Sequence, residues 1–164
     1  MACRFGVIDL RRALDLLLAQ PGVDPKRIAF VGHDYGSMYG AILAGVDRRP
    51  QSYVLLTPTG SFSRWSLDYW LAKATSELKS TYRQALRPID PIHPITQIAQ
   101  AAPASVLLQF AKHDEHIRNE EAQAFADAVS APKQVIWYEA KHDLRLQQAD
   151  QDRSKWLSKR LRIQ

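Results

Sequence analysis

Residues 28–38 read Ile28-Ala29-Phe30-Val31-Gly32-His33-Asp34-Tyr35-Gly36-Ser37-Met38, and the reading of this stretch decides the fold. The apolar run Ile28 to Val31 has the makeup of a buried strand. It passes straight into Gly32, then His33-Asp34-Tyr35, then Gly36-Ser37, after which Met38, Ile42, Leu43 and Val46 recur at helical spacing. A strand that turns directly into a helix around one polar side chain, with small residues on both sides, is a nucleophile elbow. The turn holds its central residue in a strained conformation, and small neighbours let strand and helix approach closely. The first N–H groups of the helix then point at whatever the central side chain attacks. In the common elbow that residue is Ser; here it is Asp34.

Outward from the elbow, the chain alternates helix and strand. Residues 5–19 are predicted to be a helix, with Leu10, Leu14, Leu17 and Leu18 on one face and Gln20-Pro21-Gly22 ending it. Arg27 to Val31 is the first predicted strand, and the elbow helix runs to about Val46. After the turn Asp47-Arg48-Arg49-Pro50, Ser52 to Thr57 is a second strand. Ala104 to Phe110 is a third, Glu120 to Val129 a helix, Gln134 to Tyr138 a fourth strand, and residues 147–162 the last helix. Such alternation implies one α/β domain over residues 1–164, with about four parallel strands flanked by helices and joined by right-handed crossovers. Residues 61–96 are too long for a plain strand-to-helix link and hold Trp65, Tyr69, Trp70 and Tyr82 before a Pro-rich connector. They are expected to form a small helical cap over the sheet, the plainer alternative being a crossover helix with its aromatic residues in the core.

A chain of 164 residues with 46% apolar and 24% charged residues is long enough to bury a real core. No apolar run approaches the roughly 18 residues of a membrane span, and residues 1–12 lack the apolar core of a signal peptide. The single cysteine, Cys3, excludes an internal disulfide framework. These features lead to an expectation of a cytoplasmic protein without a membrane partner. The net charge of +5 owes much to Arg153, Lys155, Lys159, Arg160 and Arg162. Trp156, Leu157, Leu161 and Ile163 mark an apolar side there, so the charge reads as the solvated face of a terminal helix. No nucleic-acid-binding module accompanies it, and no nucleic-acid partner is expected.

In an open parallel sheet, chemistry sits beyond the carboxyl ends of the strands. After the first strand comes Asp34; after the third, Lys112-His113-Asp114-Glu115-His116; after the fourth, Glu139-Ala140-Lys141-His142. Nucleophile, acid and histidine in that chain order are the order of the α/β-hydrolases, and the chain resembles the C-terminal half of an α/β-hydrolase over nearly its whole length. The strand to Phe110 followed by Ala111-Lys112-His113-Asp114 is similar to the family's acid loop, and Trp137 to His142 to its histidine loop. Val23 to Gly32 looks most like the dienelactone-hydrolase and peptidase-like branch. The elbow Gly32-His33-Asp34-Tyr35-Gly36 resembles epoxide hydrolases and haloalkane dehalogenases, in which an Asp is the nucleophile. The strands that precede the elbow helix in that family have no counterpart in this sequence, which is expected to leave one sheet edge unpaired. Pairing of that edge between two copies would make a homodimer.

The resemblance implies a small hydrolase with catalytic Asp34, Asp114 and His142, acting on an ester or lactone, an epoxide or a carbon–halogen bond. Asp34 would attack, His142 would activate water, and Asp114 would orient His142. The alternative is a catalytically inactive or truncated member of the fold serving as a binding or interaction module. Each residue also has a plainer role: Asp34 as a turn residue, Asp114 as a loop acid with Glu115 competing for its place, His142 as a surface histidine. Tyr35, through its N–H, and His33, Trp65 and Tyr69 are the candidate oxyanion and substrate-binding groups, against ordinary aromatic packing. His113-Asp114-Glu115-His116 has the letters of a metal site, but adjacent loop residues rarely point at one ion. Neither a metal nor another cofactor is expected, and the partner is a small-molecule substrate.

Overall fold

The structure, a computed structural model, describes residues 2–130 and 132–163, with side chains outside 2–5 and 89–90. Four strands, β1 (Ala29–His33), β2 (Ser52–Leu56), β3 (Ser105–Ala111) and β4 (Lys133–Tyr138), lie side by side in that order, all parallel. Each connection returns through helix, as parallel pairing requires. The first strand starts and ends two residues later than the sequence indicated, because His33 still pairs with Leu56.

The two central strands are buried along their whole length. Tyr53 and Leu55 of β2 face a large core on one side, whereas Val54 and Leu56 face a smaller core on the other. That two-sided burial explains why β2 and β3 read as unbroken apolar runs rather than alternating ones. The larger core is closed by α1 (Ala2–Leu18), α2 (Tyr35–Val46), α5 (Pro94–Ile98) and α6 (Asn119–Ala128), which contribute Leu14, Met38, Leu43, Ile98 and Phe125. The smaller core is closed by α7 (Gln147–Leu161) through Ala149 and Trp156.

Two polar ties lock helices to the sheet. Below it, the nearly buried carboxylate of Asp47 accepts from Arg49 at 2.6 Å and Arg11 at 3.1 Å, joining α1 to the turn before β2. The Arg49 guanidinium holds Asp47 down to about 2 against the opposing effect of burial. On the other face, fully buried Gln109 donates to Tyr138 Oη and to the Ala149 carbonyl, both at 2.8 Å, and accepts from Arg153 at 3.0 Å. Tyr138 in turn donates to Asp152 at 3.0 Å. Burial, with Asp152 holding its proton, pushes the Tyr138 hydroxyl up to about 12. This network pins α7 to β3 and β4, and so fixes the loop between β4 and α7.

Residues 57–104 connect β2 to β3. They contain α3 (Phe62–Trp65), a π-helical turn (Ser66–Trp70), α4 (Ser76–Leu86), a 3-10 stretch (Arg87–Ile92) and α5. α4 buries none of its residues, whereas Phe62, Trp65 and Leu67 turn inward.

Candidate active site

Asp34 is the single residue between β1 and α2, with φ 52° and ψ −120°. A non-glycine residue at positive φ is strained and persists only where its surroundings over-determine it. They do so here. Its N–H donates to the Leu56 carbonyl, and its carbonyl accepts from the N–H groups of Ser37 and Met38 and from Ser37 Oγ at 2.5 Å. The two flanking glycines serve different ends. A Cβ on Gly32 would lie 2.5 Å from the backbone of Gly36, so the turn closes only with hydrogen there. A Cβ on Gly36 would meet nothing within 4 Å.

The acid loop is built by Asp114 itself. Its Oδ1 accepts from the N–H groups of His116 and Ile117 at 2.8 and 2.9 Å. The same carboxylate, almost fully buried, faces His142 Nδ1 at 2.8 Å through Oδ2 and 3.0 Å through Oδ1. Glu115 has a different place: it accepts the His142 backbone N–H at 3.2 Å. Of the two adjacent acids, Asp114 is therefore the one on the imidazole.

The other nitrogen of His142, Nε2, lies 3.7 Å from Asp34 Oδ1, which is ion-pair reach rather than a hydrogen bond. His142 is 8% exposed. Burial alone would lower its basicity, but the carboxylates of Asp114 and then Asp34 outweigh burial and push it up to about 9. Attraction to that imidazolium holds Asp34 below the usual carboxylate range against partial burial, with the Tyr35 N–H adding in the same direction. At neutral pH the resting arrangement is a cation between two anions.

The remaining candidate residues surround this trio at varying range. His33 Nε2–H donates to the His142 carbonyl at 2.9 Å and holds the loop rather than reaching past it. Tyr35 stacks on Phe62, ring centroids 5.9 Å apart, and meets Trp65 edge-on at 5.2 Å. Trp65 is 8% exposed, and its Nε1 has no hydrogen-bond partner among the described residues. Tyr69 is half exposed and reaches the trio only through His116, whose ring is 4.5 Å from Tyr69 and 4.8 Å from His142. His116 was not singled out in the sequence as a neighbour of His142; no pattern of spacing would have shown it. A pocket of about 450 Å³ opens beside it, walled in part by Leu67, Tyr69, Asp114, His116 and Arg118. His113 instead pairs with Glu139 at 2.9 Å, and among the described residues no three metal-binding side chains converge. Among the described residues no helix is long and apolar enough to cross a membrane.

No family model and no curated protein matches the sequence. Solved structures match the fold. Acetyl xylan esterase 1 from Thermoanaerobacterium sp. is 17% identical with a TM-score of 0.70, over 93% of this chain and 51% of that one. Dipeptidyl peptidase 4 from Porphyromonas gingivalis is 14% identical with a TM-score of 0.77, over 94% of this chain and 22% of that one. An α/β hydrolase from Penicillium sp. is 12% identical with a TM-score of 0.73, over 98% and 73%. The fold is thus that of the α/β-hydrolases, in partial form: four parallel strands flanked by helices. The chain spans about half the length of the acetyl xylan esterase.

Proposed function

We propose that the protein is a hydrolase in which Asp34 attacks an sp³ carbon, as in opening an epoxide or displacing a halide. The observation that carries this reading is His142 held between Asp114 at 2.8 Å and Asp34 at 3.7 Å, with Asp34 at the strained turn. In the first step an Asp34 carboxylate oxygen bonds to the carbon while the C–O or C–halogen bond breaks, leaving an alkyl ester on the enzyme. Esterification removes the negative charge beside Nε2. The imidazolium, left with one carboxylate partner instead of two, then gives up its Nε2 proton, to the alkoxide formed when an epoxide opens or to solvent when a halide leaves as the anion, and the neutral ring accepts a proton from water. The hydroxide adds to the ester carbonyl of Asp34, the Tyr35 N–H supports the oxyanion, and release of the alcohol restores the carboxylate. Residues 61–96 serve as a small cap over this site.

A second reading has a specific support: several solved neighbours are esterases. For an ester or lactone, attack by Asp34 would give an anhydride, so Asp34 would act there as general base for water. The non-catalytic alternative, a binding module, gains support only from the open outer edge of β1.

The deciding experiment is a panel of epoxides, haloalkanes and aryl esters, run on the wild type, Asp34→Ala and His142→Gln. With an epoxide or haloalkane, His142→Gln should accumulate an adduct on Asp34, read by intact-protein mass spectrometry, because ester hydrolysis needs the base. Loss of turnover in His142→Gln without any adduct would remove Asp34 as a covalent nucleophile. Turnover surviving in Asp34→Ala would remove it from the chemistry.

A further inference from the structure

A groove of about 440 Å³ adjoins the pocket beside His116, which Asp114 lines, and is walled by Ser63, Arg64, Leu67, Asp68, Arg83 and Arg118. Leu67, Asp68 and Arg118 belong to both, so the two cavities share a wall. Three guanidiniums around one small groove are costly to gather unless something offsets their repulsion. Two acids do so in part. Glu121 takes Arg64 Nε at 2.7 Å and Arg118 Nη2 at 3.1 Å, and Asp68 lies 3.8 and 3.5 Å from the same two nitrogens. Each of these arginines is thus held by one nitrogen, leaving the rest of its planar fork for another acceptor. Arg83, on α4, has no acid within ion-pair reach among the described residues. Three guanidiniums against Asp68 and Glu121 leave one net positive charge.

We propose that this groove is an anion subsite of the active centre and that the substrate carries an oxyanion tail. The charge balance selects a singly charged carboxylate over a doubly charged phosphate. The tail seats among Arg64, Arg83 and Arg118, and the body of the substrate runs past Leu67 and His116 toward Asp34. That placement of the reactive end rests on the Asp34 reading; the binding of the anion does not. Because Arg64 and Arg118 are more than half exposed, the attraction is screened by salt.

The test has a binding arm and a kinetic arm. In the first, sodium acetate and inorganic phosphate are titrated into Asp34→Asn protein, and into the same protein carrying Arg83→Gln, by calorimetry at low ionic strength. Acetate should bind, and Arg83→Gln should weaken it about tenfold, the scale of one charge-assisted hydrogen bond. A control, Lys155→Gln on α7, lines neither cavity and should not alter it. Phosphate bound more tightly than acetate would overturn the carboxylate assignment; no binding of either anion, or binding unmoved by Arg83→Gln, would overturn the subsite itself. In the kinetic arm, an ω-epoxy carboxylate is compared with its primary amide on wild type and Arg83→Gln. The ratio of kcat/KM for acid over amide should fall about tenfold in the variant, through KM. An unchanged ratio would overturn the tail's role in catalysis. Anion binding without turnover or adduct on any epoxide would strike the Asp34 reading and leave the subsite standing.

Discussion

His142 gathers the physics of the site into one ring. Its basicity is raised to about 9, so the folded state binds a proton more tightly than the unfolded chain, where an ordinary histidine titrates near 6.5. The stability this contributes is fully present below about pH 6.5 and is lost as pH rises through about 9. With the ring almost buried, the loss is on the order of 3 kcal/mol. Asp34 works in the opposite sense: its lowered pKa adds stability above the ordinary carboxylate range that is lost on acidification. Denaturant titrations from pH 6 to 10 should show the first decline, and His142→Gln should remove it. Asp114→Asn is the sharper probe. Asn keeps an oxygen for the His116 and Ile117 N–H groups, so the loop stays folded, but it puts an NH₂ donor where Oδ2 faced Nδ1 and carries no negative charge to hold the imidazolium. His142 should then titrate well below 9 by NMR, and turnover should fall about 10²- to 10⁴-fold. A His142 titration unchanged in Asp114→Asn would mean the pair does not set its charge.

Among the elements, the close approaches are specific enough to test. A Cβ on Gly45 would lie 2.5 Å from the Gln97 carbonyl, where α2 rests on α5. Gly45→Ala should therefore cost about 1–3 kcal/mol in denaturant melts. Gly32→Ala forces strand and helix apart at the elbow and should also displace Asp34, whereas Gly36→Ala meets no atom and should leave stability within about 0.5 kcal/mol. The periodicities of β2, β3 and α2 were legible in the sequence because burial on both faces, or on one helical stripe, writes itself into residue order. So was the gathering of Asp34, Asp114 and His142, since parallel strands deliver their following loops to one end. Other features were not legible. The π-helical turn at Ser66–Trp70, with Leu67 buried, depends on tertiary packing that no local pattern announces. The Gln109–Tyr138–Asp152–Arg153 network joins residues up to 44 positions apart, and nothing local marks Gln109 as buried. The neighbours of His142, His33 and His116, likewise meet only in three dimensions.

For the whole molecule the open question is the outer edge of β1. It is the end strand of the described sheet, so one row of its N–H and C=O groups has no neighbouring strand. The apolar residues on and beside it are Ile28, Phe30 and Val31. The structure divides them: Ile28 is buried, Phe30 packs partly into the core, and Val31 is 49% exposed. α1 packs Val7 and Leu14 into the core with α2 and leaves Ile8, Leu16 and Leu17 exposed. Exposed apolar side chains beside unpaired backbone groups are a surface that pairs with another strand. We propose that two copies meet there about a two-fold axis, joining two sheets of four strands into one of eight. Sedimentation at micromolar concentration should then give a dimer, and Val31→Lys, which places a charge at the seam, should shift it toward monomer without lowering the monomer's own stability. A wild-type chain that sediments as a monomer would reject the pairing. A dimer indifferent to Val31→Lys would place the interface elsewhere.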